Sequence, residues 1–263
     1  MQVLKKGAYV GRIYSSVQAE GIIAGTTVYL DESSNGEMHS HESPHISFVI
    51  NGGSIDKRQR TSKEQHSGSI AFYYAGEAHQ TIQKIFPARH VNLELDEQFL
   101  NRYQLTEEMM SNCIKCTPDA KFFMIRLYHE FMLNDSHSKP SIQIILLELL
   151  NASFLKEKYC PSWVKQLEQI LRASWNESIE LPLLSQLLGV HPVTISKNFS
   201  RYFGCTFGEY MRKLKIEHAI SIIKCSHQSL TEVAYTCGFA DQSHLIRTFK
   251  YYTGFLPLHF KKA

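Results

Sequence analysis

The 263-residue sequence predicts a multidomain α and β protein, in which a β-rich N-terminal domain leads through a helical segment into an all-α C-terminal domain. Three observations predict it. Residues 1–100 carry short β-branched and aromatic runs punctuated by Gly and Asn. Residues 101–160 turn to longer apolar runs at helical spacing, and residues 161–263 hold one pattern twice, at an offset of 49 to 50 residues.

Composition narrows the class further. Hydrophobic content of 43% and charged content of 20% are ordinary for a water-soluble chain. The most apolar stretch, "SIQIILLELLNASFL", is interrupted by Glu148 and Asn151 and is shorter than the roughly 20 residues of a membrane span, so it predicts a soluble helix and no membrane partner. The opening "MQVLKKGAYVGRIY" lacks the sustained apolar run of an export signal, which predicts a cytoplasmic protein. Of six cysteines only Cys113 and Cys116 form a CxxC pair, and with no second pair at similar spacing the expectation is reduced thiols and no zinc site. The net charge of +3 conceals an asymmetry: residues 1–170 hold 17 Lys+Arg against 19 Asp+Glu, and residues 171–263 hold 11 against 6. A polyanionic partner therefore belongs to the C-terminal third.

In the β-rich part, "TTVYL", "ISFVI", "SIAFYY" and "VNLEL" predict strands, separated by "SSNG", "NGG" and "SG", and their number and spacing suit a sandwich or barrel. His39, His41 and His45 crowd into "GEMHSHESPHISFVINGG", and His79 ends "GSIAFYYAGEAH". Four imidazoles can hold Zn, Fe, Ni or Mn, or can line a ligand pocket. The two segments resemble the paired motifs of the cupin family, which implies a cupin-like β-barrel that gathers His39, His41, His45 and His79. His45 stands where a cupin enzyme carries glutamate, and Tyr74 replaces the usual proline. The missing glutamate turns the expectation away from a bound metal cofactor and towards a small-molecule or signal pocket lined by these histidines.

The helical segment begins with "TPDAKFFMIRLYHEFML", where Thr117 is expected to cap and Pro118 to sit in the first turn. A polar turn, "NDSHSKPS", leads to "IQIILLELLNASFLKEK", whose Ile142, Ile145, Leu146 and Leu149 suit either the monomer core or a dimer seam. "KEKYCPS", residues 156–162, is the expected linker.

The repeat pairs "LSQLLGVHPVTISKNFSRYFG" with "VAYTCGFADQSHLIRTFKYYTG", matching Gly189 to Gly238, Ile195 to Leu245, Phe199 to Phe249 and Gly204 to Gly254. Each copy reads as helix, glycine turn, helix, giving two helix-turn-helix motifs at about 182–203 and 230–252. Pro182 and Pro192 are placed to open the helices of the first copy, while "SLTE" forms a capping box and Asp241 a cap in the second. Helical periodicity turns Ile195, Phe199, Phe203, Leu245 and Phe249 inward. It leaves Val193, Ser196, Lys197 and Ser200 exposed in one copy and Gln242, Ser243, Ile246 and Arg247 in the other. Between the copies, Ile216, Ala219, Ile220 and Ile223 form one apolar stripe on a long connecting helix.

Residues from about 165 to 263 resemble the two-headed DNA-binding domain of AraC/XylS-type transcription regulators, with "GFADQSHLIRTFK" carrying the signature of the second motif. This sequence departs from that family at His191 (usually serine), at Lys197 and Lys215 (usually arginine) and in its "PLHFKK" end. The resemblance implies double-stranded DNA as partner, with Val193, Ser196, Lys197, Gln242, Ser243, Ile246 and Arg247 facing the bases and Arg201, Arg212, Lys213 and Lys250 near phosphates. It also implies a homodimer built on residues 101–160, a small-molecule effector and contact with RNA polymerase. The expected function is transcription regulation without enzymatic activity. The rival is a metal-dependent cupin enzyme fused to a DNA-binding domain.

Overall fold

The computed structural model describes residues 1–117, 119–154, 161–177 and 179–262. They form two compact units, Met1–Phe154 and Leu155–Lys262. Most of the predicted linker lies outside the described residues.

The first unit is organised by two long strands, β5 (His45–Arg58) and β8 (His79–Leu95), paired antiparallel from His45↔Glu94 to Arg58↔His79. β8 also pairs with β3 (Ile22–Tyr29), which pairs with β2 (Arg12–Ala19). At its other end β8 meets β4 (His39–His41), itself parallel to β1 (Gln2–Leu4). β6 (Ser62–His66) and β7 (Ile70–Tyr73) pair with β5. Register shifts between Val49 and Ser54 bend the β5–β8 ribbon. Gly52 lies there at φ +103, where an added Cβ would stand 2.5 Å from the Cβ of fully buried Ala88, so only glycine fits.

The expected cupin-like β-barrel is a half-barrel: among the described residues β2 pairs only with β3, and helices pack on it in place of a further strand. Where His45–Ile50 of β5 lies against His90–Leu95 of β8, both faces of the sheet are buried, but for different reasons. On one side Ile46, Phe48 and Ile50 of β5 join Val91, Leu93 and Leu95 of β8 in an apolar core. On the other side the alternate positions are polar: His45 and Ser47 on β5, Thr27 on β3, and His90, Asn92 and Glu94 on β8. A buried polar face is costly unless its groups are paired, so this interior marks the part of the unit that packing alone does not explain.

Four helices follow. Asp96 and Thr106 cap α1 (Glu97–Arg102) and α2 (Glu107–Cys116) through the amides of Phe99 and Met109. α3 (Ala120–Leu133) starts after Asp119, so Thr117 ends the preceding helix and does not open this one, and Pro118 lies outside the described residues. The difference arises because Glu107 and Glu108 start α2 ahead of Thr117, whose amide then donates to Cys113 O as the helix closes. α4 (Ser138–Phe154) packs on α3 and α2. Ile142, Ile145, Leu146 and Leu149 are buried within this unit, which makes them monomer core. Cys113 is buried, and its thiol donates to the Leu149 carbonyl at 3.1 Å.

The second unit is all helical: α5 (Ser162–Ala173), α6 (Leu181–Leu188), α7 (Pro192–Phe203), α8 (Phe207–Cys225), α9 (Leu230–Thr236), α10 (Gln242–Thr253) and α11 (Pro257–Lys262). Leu167 and Leu171 of α5, Leu184 of α6, Ile195 and Phe199 of α7, and Leu214 of α8 share one core. The far end of α8 buries Ile216, Ala219, Ile220 and Ile223 and packs on α9, α10 and α11. α8 thus belongs to both lobes. No described helix is long and apolar enough to cross a membrane.

Candidate nucleic-acid interface and histidine site

In the second lobe, Ser229 and Glu232 form the predicted capping box on α9, and Gly238 turns the chain at φ +67. The Lys215 ammonium of α8 donates to the Gly238 carbonyl at 2.7 Å, holding that turn against the shared helix. Asp241 then accepts from the His244 amide at 2.7 Å and starts α10. Leu245 and Phe249 are fully buried, which rotates Gln242, Ser243, Arg247 and Lys250 to the exposed side, with Ile246 half-buried at its edge. The Thr231 hydroxyl donates to Gln242 Oε1 at 2.9 Å, leaving the amide NH2 of Gln242 to face outward partners.

The first lobe repeats the arrangement with different residues. Gly189 turns the chain at φ +63, and His191 caps α7 by accepting from the Val193 amide on its Nδ1 at 3.3 Å. The departure at 191 therefore preserves the cap by other chemistry. Ile195, Phe199 and Phe203 are buried, and Val193, Ser196, Lys197 and Ser200 are exposed. Arg201 lies on the exposed side of α7 with its guanidinium towards the Tyr202 ring, and Arg212 is exposed on α8 beside half-buried Lys213. The Thr206 amide and hydroxyl, with Arg212 and Lys213 nearby, hold the Glu209 carboxyl below the usual range.

In the first unit the four predicted histidines come together. His39 and His41 lie on β4, His45 begins β5 and His79 begins β8. Ring centroids are 4.6 Å apart for His39 and His79, 5.3 Å for His39 and His41, and 4.1 Å for His41 and His45. One ring nitrogen from each of His39, His41 and His79 falls within 4.8 Å of the others. His45 lies between His41, to which it is tilted, and Tyr73, on which it is stacked. Burial, reinforced by repulsion from neighbouring imidazoles, lowers His41 to about 3 and His45 well below its ordinary value. Burial likewise lowers His79 to about 4, so these rings are neutral at pH 7. The cavity they share with Tyr9, Tyr29, Tyr73 and His90 is about 20 Å³. That space suits a water or an ion.

Sequence reasoning missed Glu94. Its side chain is buried on β8 in the polar interior, with Oε2 accepting from the Gly7 amide at 2.9 Å and Oε1 facing His41 Nδ1 at 3.8 Å. The signal was present in "HVNLEL", where every second residue of an otherwise apolar strand is polar. Also unforeseen is a cavity of about 380 Å³ where β5, β6 and β7 meet α2, lined by Lys63, Ile70, Phe72, Ser111 and Lys115 among others.

Two lobes on a shared helix, each with a capped and outwardly polar second helix, define a tandem helix-turn-helix domain. Residues 184–263 match the helix-turn-helix domain family, and this C-terminal domain is of the AraC type. An uncharacterised HTH-type transcriptional regulator of Staphylococcus aureus is 24% identical over 189 residues, covering 67% of this chain and 24% of that protein. The HTH-type transcriptional regulator GbdR of Pseudomonas aeruginosa is 27% identical over 94 residues, 36% of this chain and 26% of that protein. The chain thus spans about a quarter of the length of these curated relatives. Among solved structures, ToxT from Vibrio cholerae aligns with a TM-score of 0.37 and 11% identity over 93% of this chain and 98% of its own. The C-terminal domain of the response regulator yesN from Fusobacterium nucleatum aligns with a TM-score of 0.34 and 25% identity over 38% of this chain and 99% of its own.

Proposed function

We propose that the chain is a sequence-specific DNA-binding transcription regulator whose N-terminal unit senses a signal. The observation that carries this reading is the exposed face of α10, held outward by buried Leu245 and Phe249 and repeated in α7 with different residues. Arg247 has the donor geometry to bond guanine O6 and N7 together, and Gln242 and Ser243 supply shorter-range donors beside it. Val193, Ser196 and Lys197 form the corresponding face of the first lobe, and Ile246 offers an apolar contact to a thymine methyl. Arg201, Arg212, Lys213 and Lys250 flank these faces as phosphate contacts, a sequence-independent share of affinity. The basic excess of residues 171–263 supports the same assignment.

A small-molecule effector fits the 380 Å³ cavity by volume, and its lining combines an apolar wall of Ile70 and Phe72 with Lys63 and Lys115. Action as a homodimer and contact with RNA polymerase belong to the same reading. A metal-dependent cupin enzyme is disfavoured, since a cavity of 20 Å³ leaves no room for an organic substrate beside an ion. Selection of DNA from a random pool by the full chain tests the function. Enrichment of two unlike elements about 10 to 10.5 base pairs apart is expected, and a pool that shows no enriched sequence refutes sequence-specific binding.

A further inference from the structure

In the second lobe the two helices of the motif are tied together by one side-chain pair. The Thr231 hydroxyl, at the second position of α9, donates to Oε1 of Gln242, the first residue of α10, at 2.9 Å. The backbone is fixed beside each partner. Ser229 and Glu232 cap α9 reciprocally, Asp241 caps α10 through the His244 amide, and Lys215 holds the intervening turn at the Gly238 carbonyl. The fold of the motif thus sets the pair side by side. The orientation of the amide follows from its surroundings. The first amides of a helix have no partner within it and give that end a positive potential, so the start of α9 draws the oxygen of Gln242 and not its NH2.

The direction of that oxygen decides what Gln242 can read. A glutamine recognises adenine by placing its C=O against the N6 amino group and its NH2 against N7, with both ends of the amide on the base edge. An amide oxygen has two lone pairs, so the bond to Thr231 does not saturate it. The bond does turn the C=O towards α9, which leaves the NH2 as the end that faces outward. Guanine presents O6 and N7 on the same edge, two acceptors and no donor. The first lobe has no counterpart: at the 49- and 50-residue offsets of the repeat, Thr231 and Gln242 correspond to Pro182 and Pro192, whose side chains neither donate nor accept.

We infer that Thr231 is a positioning residue that makes Gln242 a donor-only reader, so that the base pair beneath Gln242 is selected as G·C over A·T. The inference rests on the DNA-binding reading of α10 and names the base that one of its residues selects. Thr231 acts through Gln242 and not on the base. Both side chains are exposed in the free chain, and DNA that covers them removes the water competing for their bond, so the orientation is enforced where it is read.

The test is binding selection from a random DNA pool at fixed salt, with the full chain and its variants. Gln242→Ala identifies the pair read by Gln242 as the position of the second element whose preference falls. The parent should favour G·C there by at least about fivefold, in line with one good base contact. Thr231→Val, which keeps the shape and removes the hydroxyl, should free the amide and move that position from G·C towards A·T, while Thr231→Ser should restore G·C. A residue that only stabilised α9 would change affinity without changing the selected base. The first element, read by α7, should persist in every variant and so reports that the domain is folded; should Thr231→Val lose it, Thr231→Ala supplies the same comparison. A parent that enriches no sequence removes the DNA-binding reading together with this one. With a parent that does enrich, A·T beneath Gln242, no position that depends on Gln242, or an unchanged G·C preference in folded Thr231→Val overturns the role of Thr231 and leaves the DNA-binding reading standing.

Discussion

His39 on β4 stands directly opposite His79 on β8 in the antiparallel register, with ring centroids 4.6 Å apart. Forty residues separate them in sequence, so the pairing exists only when the sheet is formed. Folding therefore gathers rings that have to stay neutral to be buried together, and the stability of the first unit is tied to proton uptake.

His90 gives the cleanest case, because burial alone lowers it to about 4. The unfolded chain, near the ordinary 6.5, takes up a proton before the folded chain does. Stability is then unaffected by this group above about pH 6.5 and falls as pH drops from 6.5 to 4, by on the order of 3 kcal/mol at most. Urea unfolding of chelator-treated protein across that range should show the loss, and His90→Gln should flatten the slope. Equal slopes in the two proteins would contradict the assignment.

The repeat was the most legible part of the chain. Glycine at each turn, inward Ile195 with Phe199 and Leu245 with Phe249, and the caps at Ser229 and Asp241 all act locally, within one or two helical turns, so their consequences follow from sequence spacing. The histidine site was half legible: HxH and His79 stood out, but Glu94 reaches His41 only through the β5–β8 register that sets His45 opposite Glu94. Local sequence does not encode such a pairing. Barrel closure was over-read for a related reason. Strand-like runs show which residues are extended, not whether the last edge is met by a strand or, as here at β2, by helices. Most of the expected linker lies outside the described residues.

Asp241 makes a second prediction. Its carboxylate satisfies the His244 amide at the start of α10, and removal of such a cap typically costs about 1 kcal/mol. Asp241→Ala should lower the thermal midpoint and weaken DNA binding, while Asp241→Ser should recover most of both. A variant as stable as the parent would mean that α10 is held by its buried face alone.

The apolar residues of α4 separate core from surface. Leu146 is fully buried, whereas Ile144 is 57% exposed on the same helix. Leu146→Glu buries a charge without a partner and should unfold the first unit, seen as loss of near-UV circular dichroism. Ile144→Glu should leave the fold intact. If α4 also forms the proposed homodimer, Ile144→Glu should produce a folded monomer in sedimentation, and a persistent dimer places the seam elsewhere.

The last prediction concerns how the two lobes divide the reading of DNA. α7 and α10 project from lobes that share α8, so their separation is fixed by one helix, and successive major-groove turns lie about 10 to 10.5 base pairs apart. Their exposed residues differ, with Lys197 in one and Arg247 in the other, so a single chain should read two unlike elements in a fixed direction. Loss of a two-bonded arginine–guanine contact costs roughly 1 to 3 kcal/mol at one position, whereas loss of a phosphate contact weakens all sequences and lowers the salt slope by about one. Arg247→Ala should therefore relax one or two base pairs of the second element, measured by binding selection at fixed salt. Arg212→Ala should weaken selected and random DNA about equally and reduce the salt slope. Lys197, a point charge without the guanidinium fork, should tolerate arginine and sharpen the first element when so replaced. An unchanged selected sequence and affinity in Arg247→Ala would remove α10 from the bases and leave the first lobe as the sole reader.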